Sequence, residues 1–463
     1  MERKNAWAAY AEDDSRVEAF AQAYCDFINN GKTERECVAY GEKLAKAHGF
    51  EDLNAVIRSG RKLEAGARVY VNWMGKSFML FVLGAKPLEE GMNILGAHID
   101  SPRIDVKQNP LYEDGDLAYL DTHYYGGIKK YQWVAMPLAL HGVIIKKNGE
   151  KVPVNIGEDE NDPVFCISDL LIHLAQEQMA KNAKDVVEGE ALNLIVGGRP
   201  LAGEEKDAVK ANVLKLLDDK YGVEEEDFLS AELEIVPAGK ARDMGFDRSM
   251  ILGYGHDDRV CAYPSMMAVL DYEGTPDYTL CCIITDKEEI GSVGATGMAS
   301  HYLENTVAEL YACTADYCEL AVRRCLRNSR MLSSDVSAGY DPNFASAFEK
   351  KNSAFLGRGI CFNKFTGSRG KSGSNDANPE FMASLRKIMD DAGVTFQTAE
   401  LGRVDLGGGG TIAYLCAKYG MNVIDSGIAV LSMHAPYEII SKVDLYEGYR
   451  CYCAFLKGAK PVD

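Results

Sequence analysis

The sequence predicts an α/β fold, with a central, largely parallel sheet flanked by helices and an inserted β-rich domain. Three observations predict it. Apolar strand-like runs and helix-period segments alternate from about residue 250 to the end of the chain, the pattern of a parallel sheet with crossover helices. The first hundred residues carry two amphipathic helices, a hairpin and a short apolar strand. Between these parts the composition shifts to Gly, Tyr and Asp, and hairpin signals replace the alternation. The reading is one α/β domain split in sequence: residues 1–102 form its first part, 103–245 the insertion and 246–463 its second part. A chain of 463 residues is long enough for two or three domains and a large core.

The elements follow in order. Val17, Phe20, Tyr24, Phe27 and Ile28 recur at helical spacing, and the pattern stops at Gly31. Thr33 and Glu36 have the capping-box spacing for a second helix that ends near Gly49. Residues 67–84 alternate around Gly75 as a hairpin does. A strand over 92–97 runs into His98-Ile99-Asp100-Ser101-Pro102. In the insertion, 143–145 and 152–156 form a hairpin turned at Asn148-Gly149, a two-residue turn signal. Residues 168–181 read as a helix, and the charged stretch 200–230 as a solvated helix face or loop. Strands return at 233–236, 250–254 and 280–285, and another precedes Asp335. Helices are expected over 411–418 and 444–457. Gly407 to Gly410 make a tight turn into the first of these and no phosphate loop, because no Gly-Lys-Ser/Thr follows. There is no internal repeat and no low-complexity segment.

Composition excludes several classes. Hydrophobic content of 47% and charged content of 26% are those of a globular protein in water. A formal charge of −19 without a dense Lys/Arg stretch argues against nucleic acid or an anionic membrane as partner. No apolar run approaches the roughly 20 residues that span a bilayer. The opening Met-Glu-Arg-Lys-Asn-Ala-Trp is expected to lead into an acidic helix and not a signal-peptide core. Thirteen cysteines are scattered mostly through apolar runs with no CxxC pair, as expected for reduced thiols in a cytoplasmic protein.

Five segments place His or acidic residues just after an apolar strand-like stretch. They are Gly96-Ala97-His98-Ile99-Asp100; Tyr254-Gly255-His256-Asp257-Asp258; Asp286-Lys287-Glu288-Glu289-Ile290; Ser333-Ser334-Asp335; and Ser432-Met433-His434. Three of only eight histidines lie in them, so their coincidence at strand ends decides against reading each as an isolated turn or packing residue. Open α/β sheets put their sites at the carboxyl ends of strands. Imidazoles and carboxylates without thiolates suit a zinc-like divalent ion with open positions. Glu288 and Glu289, on an extended backbone, would point different ways: one to a metal, the other to a water.

The order His-x-Asp, Asp-Asp, Glu-Glu-x-Gly, Asp, Met-His resembles the aspartyl aminopeptidase family of dinuclear zinc exopeptidases, over nearly the whole chain. The resemblance implies two divalent ions per subunit, zinc or else Mn or Co. Asp257 would bridge them. Glu289, Asp257 and His434 would hold one; His98, Asp257 and Asp335 the other. Glu288 would be the general base, and Asp100 would orient His98. His256 matches no ligand position and reads as a loop or packing histidine. His173 resembles a family segment near the subunit interface and equally a packed helix histidine. The family's insertion is a dimerisation domain, and its particle is a tetrahedral dodecamer. After Asp335 this chain reads Val-Ser-Ala-Gly-Tyr-Asp, where many members carry a His-Ala pair and a second His. The family's preference for acidic residues is therefore not carried over.

The expected activity is hydrolysis of the N-terminal peptide bond of peptides with a free amino terminus. Two alternatives stand beside it: an amidohydrolase such as a deacylase using a similar centre, and a non-catalytic assembly protein holding a structural metal. A retaining glycosidase built on two carboxylates leaves both ligand histidines unexplained.

Overall fold

Strands buried on both faces read as continuous apolar runs and need helices above and below them. Thr279–Thr285 and Met92–His98 are such strands, and Arg330–Ser334, although polar at Arg330, Ser333 and Ser334, is likewise buried along its full length. The computed structural model describes residues 4–367 and 370–462. Met1 to Arg3, where the opening stretch read against a signal peptide begins, lie outside the described residues. The chain divides into two compact units. The first is Met1–Asp100, Arg242–Met433 and Glu438–Asp463; the second is Ser101–Ala241 with His434–Tyr437.

In the first unit the three buried strands stand at the middle of a sheet of nine strands among the described residues. Thr279–Thr285, Met92–His98, Arg330–Ser334 and Asn422–Gly427 are neighbours and run parallel. The hairpin Arg68–Trp73 and Ser77–Val82 adds antiparallel strands on one side, as its alternation around Gly75 predicts. Ile94, Ile283 and Met331 share one core cluster with Leu303, Leu310, Val322 and Leu326 of the helices Tyr302–Thr314 and Glu319–Asn328. The alternate residues Leu95 and Ala97 are equally buried. The helices His256–Leu270 and Lys442–Gly458 also pack on this strand, and Ser15–Asn30 packs on them. Val17, Tyr24, Phe27 and Ile28 are the buried face of that last helix, as their spacing requires. The capping box forms as expected: Thr33 and Glu36 exchange side-chain and backbone bonds at the start of Glu34–Ala47.

The second unit is a six-stranded antiparallel sheet in the order Lys151–Ile156, Leu138–Ile145, Ala231–Pro237, Arg103–Asp114, Leu117–Tyr125, Leu194–Gly197. Two expectations need correction here. The turn at Asn148-Gly149 is not a two-residue turn. The Lys146 N–H donates to the Glu150 carbonyl at 2.9 Å, closing a three-residue loop in which Gly149 takes φ 87°. Glycine at that position is what a three-residue loop with a bulge requires. The helix over 168–181 shrinks to Gln176–Met179. Its apolar residues do not form a buried face: Ile172 and Leu174 are each 68% exposed. A short helix is stabilised chiefly by packing of such a face, and the chain offers this one nothing to pack on. No helix among the described residues is long and apolar enough to cross a membrane.

Candidate metal centre

Strand register brings the acids to His98. Thr285 pairs with His98, and Ser333 pairs with Gly96, so Asp335 follows at the level of His98 on one side and Glu288 lies just beyond it on the other. On reaching these ends the chain must turn away. After Thr285 it does so through Lys287 at φ 66°, a short 3₁₀ turn over Glu288–Ile290, and Gly291 at φ 93°. Glu288 and Glu289 therefore do not sit on the extended backbone expected from the sequence. They diverge because successive residues of a 3₁₀ turn are about a third of a revolution apart.

His98 is the hub. Its Nδ1 lies 2.9 Å from the Asp100 backbone carbonyl and 3.3 Å from the Asp100 carboxylate. Its Nε2 faces Asp257 Oδ1 at 3.2 Å, Glu288 Oε2 at 3.9 Å and Asp335 Oδ1 at 4.0 Å. With Nδ1–H donated to Asp100, the Nε2 lone pair points at carboxylate oxygens. That arrangement is repulsive without a cation between them and is the donor geometry of a ligating imidazole. Two groups have ligand atoms within 4.8 Å of one another: His98, Asp257 and Glu289; and His98, Asp258 and Asp335. The donor set fits a divalent ion held by nitrogen and oxygen.

The electrostatics agree. Burial pushes the Asp335 carboxyl well above the usual range, and the charges of Glu288, Asp258 and Asp257 push it further. Asp258, raised chiefly by burial, has an Oδ1 with no hydrogen-bond partner. Without a cation a proton takes its place on Nε2: burial disfavours a charged His98, but bonds to Asp100 and Asp257 outweigh it and raise the ring well above its ordinary value. Acids packed this closely resist ionising together unless a cation compensates them.

Asp100 does more than face His98. It is fully buried, and its two carboxylate oxygens accept the backbone N–H groups of Glu288 and Glu289, each at 3.0 Å. Asp257 stands in the first turn of the helix His256–Leu270, and its N–H donates to the buried Glu438 at 3.0 Å. Arg259 donates to the carbonyls of Ile99 and Lys32, tying the end of the His98 strand to the segment that leads into the helix Glu34–Ala47.

The structure thus gathers His98, Asp100, Asp257, Glu288, Glu289 and Asp335. His434 falls in the second unit, where its Nδ1 lies 2.9 Å from the Gly127 carbonyl. His173 lies in a turn of the second unit among exposed apolar residues, so it is not a packed helix histidine. His256 is one: it is buried, with Nδ1 2.7 Å from the Tyr24 hydroxyl. Sequence reasoning left Asp258 and Glu438 without roles. The Asp257-Asp258 pair was a signal for the first; nothing local marks Glu438.

One glycine guards the geometry. A Cβ at Gly427 would stand 1.8 Å from the Asp335 carbonyl oxygen. Gly427→Ala should cost about 1–3 kcal/mol of stability, as overpacking does, and weaken metal binding by displacing Asp335. Denaturation and a metal titration on one preparation check this. Unchanged metal affinity would separate Asp335 from the centre.

Residues 27–456 match the family described as Aminopeptidase I zinc metalloprotease (M18). A probable M18 family aminopeptidase 1 of Clostridium acetobutylicum is 58% identical, with 98% of each chain covered. The crystal structure of aminopeptidase I from that organism superposes with a TM-score of 0.92 at 56% identity, covering 98% of this chain and 99% of the other. An M18 aminopeptidase from Thermotoga maritima gives a TM-score of 0.94 at 42% identity, covering 99% of this chain and all of the other. The S. cerevisiae mApe1 dodecamer, at 22% identity, shares the fold, with a TM-score of 0.76 over 96% of this chain and 97% of that one. On the family match and these identities, the chain belongs to the M18 family of zinc metalloprotease aminopeptidases.

Proposed function

We propose that His98, Asp257, Asp335, Glu289 and His434 hold two divalent ions per chain, with Asp257 shared and Glu288 as general base. The observation that carries this is the convergence on His98 Nε2 of oxygens from Asp257, Glu288 and Asp335. His434 rests on the motif resemblance. Bound zinc would supply a Lewis acid and lower the pKa of a water. Glu288 takes the proton of the attacking water and returns it to the leaving amine. Asp100 holds the Glu288 and Glu289 backbone in place through that transfer. The free ammonium of a peptide needs an anionic partner, which surplus carboxylate here supplies.

The test is a panel of aminoacyl-peptides and N-acylated analogues, assayed with Zn, Mn and Co before and after chelation. Cleavage of the free-amine substrates alone, lost on chelation and restored by metal, is expected. Cleavage of the N-acylated analogues would favour a deacylase; activity that survives full metal removal would refute the reading.

We further propose that the inserted unit carries a subunit interface in a closed homo-oligomer, a dodecamer in the fullest form. Leu171, Ile172, Leu174 and Met179, each more than half exposed, form an apolar surface around His173. Such a patch on an isolated chain marks an association site. Ile172→Asp with Leu174→Asp should shift the species seen by light scattering to a smaller size. A wild-type monomer at micromolar concentration would remove the proposal. A reducing, cytoplasmic setting accords with thirteen cysteines held as thiols.

A further inference from the structure

The inserted unit holds a cavity that peptide hydrolysis does not use. It measures about 430 Å³, within the roughly 300–1,000 Å³ of small-molecule sites. One wall is Leu140, Ile144, Val154 and Ile156 of the antiparallel sheet, all buried; the other is Val213 and Leu217 of the helix Ala208–Tyr221. That helix is loosely seated. Val209 is its one buried residue, and Leu216, which also lines the cavity, is 59% exposed. Protein interiors pack as densely as organic crystals, so an apolar gap of this size between helix and sheet leaves packing for an occupant to complete.

The lining says what the occupant is. Water in a cavity needs two to four polar partners, and these aliphatic walls supply none, so they suit a hydrocarbon. The rim is different. Asp219 and Lys220 stand there with Tyr221. Asp219 is held by Lys215, its Oδ2 at 2.5 Å from Nζ. The Lys220 ammonium lies 5.1 Å from the centre of the Tyr221 ring and has no carboxylate within ion-pair distance among the described residues. The mouth therefore offers a cation without an ion-pair partner, beside a phenol and in the field of Asp162, the recognition chemistry of a carboxylate or similar anion.

We propose that the inserted unit binds a small amphiphile, with its hydrocarbon tail between the sheet and the helix Ala208–Tyr221 and its anionic head at Lys220. The site lies wholly within the insertion and stands independently of the peptidase reading. Occupancy would complete the packing of a loosely seated helix, so the same ligand should also stabilise the unit.

The test uses the full-length protein and sodium dodecanoate below its micelle concentration, followed by isothermal titration. One saturable site per chain is expected, with a raised Tm. Dodecanol, which has the same tail without the charge, and the Lys220→Gln variant with dodecanoate should each bind several-fold more weakly. Val213→Trp should fill the cavity and remove binding, with aminoacyl-peptide turnover unchanged. Absence of saturable binding overturns the proposal, as does affinity undiminished by Val213→Trp. Equal affinity for dodecanol overturns the role of Lys220. If Val213→Trp fails to fold, crystals soaked in ω-bromododecanoate decide: bromine signal inside the cavity supports the site, and signal only elsewhere overturns it.

Discussion

Glu288→Gln should abolish most turnover while leaving fold and metal content intact. The amide is isosteric and, on our assignment, no metal–carboxylate bond is lost. An amide cannot accept the proton of the attacking water, and general-base catalysis is typically worth about 10²–10⁴-fold. Glu289→Gln should behave differently: metal binding weakens, and activity returns in part at high metal. The two side chains leave the same 3₁₀ turn, so a merely structural disturbance would affect both variants alike. Metal analysis and turnover on each variant separate the roles. Metal lost in the Glu288 variant and kept in the Glu289 variant would reverse the assignment. Full activity in both would end the hydrolytic mechanism.

Asp100→Asn should cost on the order of 10–100-fold in metal affinity or activity. The carboxylate receives the Glu288 and Glu289 N–H groups, one on each oxygen, and faces His98 Nδ1 with the first of these. An amide replaces one acceptor by a donor, so one of those N–H groups meets an NH₂ in a fully buried site. The loss should therefore appear in metal affinity and in kcat together, because the strand carrying His98 and the turn carrying both glutamates are held by the same group. A variant with wild-type metal affinity and kcat would show that the Asp100 carboxylate positions neither.

Much of this was legible from residue patterns. Thr33 and Glu36 announce a helix start through chemistry confined to four residues, and the structure forms it. The runs ending at His98 and Thr285 are mostly apolar because both their faces are covered, and this marks them as central strands, whereas the equally buried Arg330–Ser334 carries Arg330, Ser333 and Ser334 and shows less of that signal. Other features depend on contacts no local pattern reports. Leu171, Ile172 and Leu174 are apolar, yet none of the described residues covers them, so the helix over 168–181 shrinks to Gln176–Met179. The Asn148-Gly149 signal identified the turn and missed its length, because one more backbone pair, Lys146 with Glu150, closes the hairpin. At the site, residue types and order were visible, but partnership was not. Glu438 meets the Asp257 N–H from 181 positions away. Asp258 enters the His98 and Asp335 group only because the helix His256–Leu270 begins against the His98 strand.

Anomalous diffraction at the zinc edge, on crystals grown with zinc, tests the central claim most directly. We expect two peaks per chain with Asp257 common to both, one completed by His98 and Asp335 and the other by Glu289 and His434, and with Glu288 ligating neither. A single peak, or peaks held by Asp258 in place of Asp257, would contradict it.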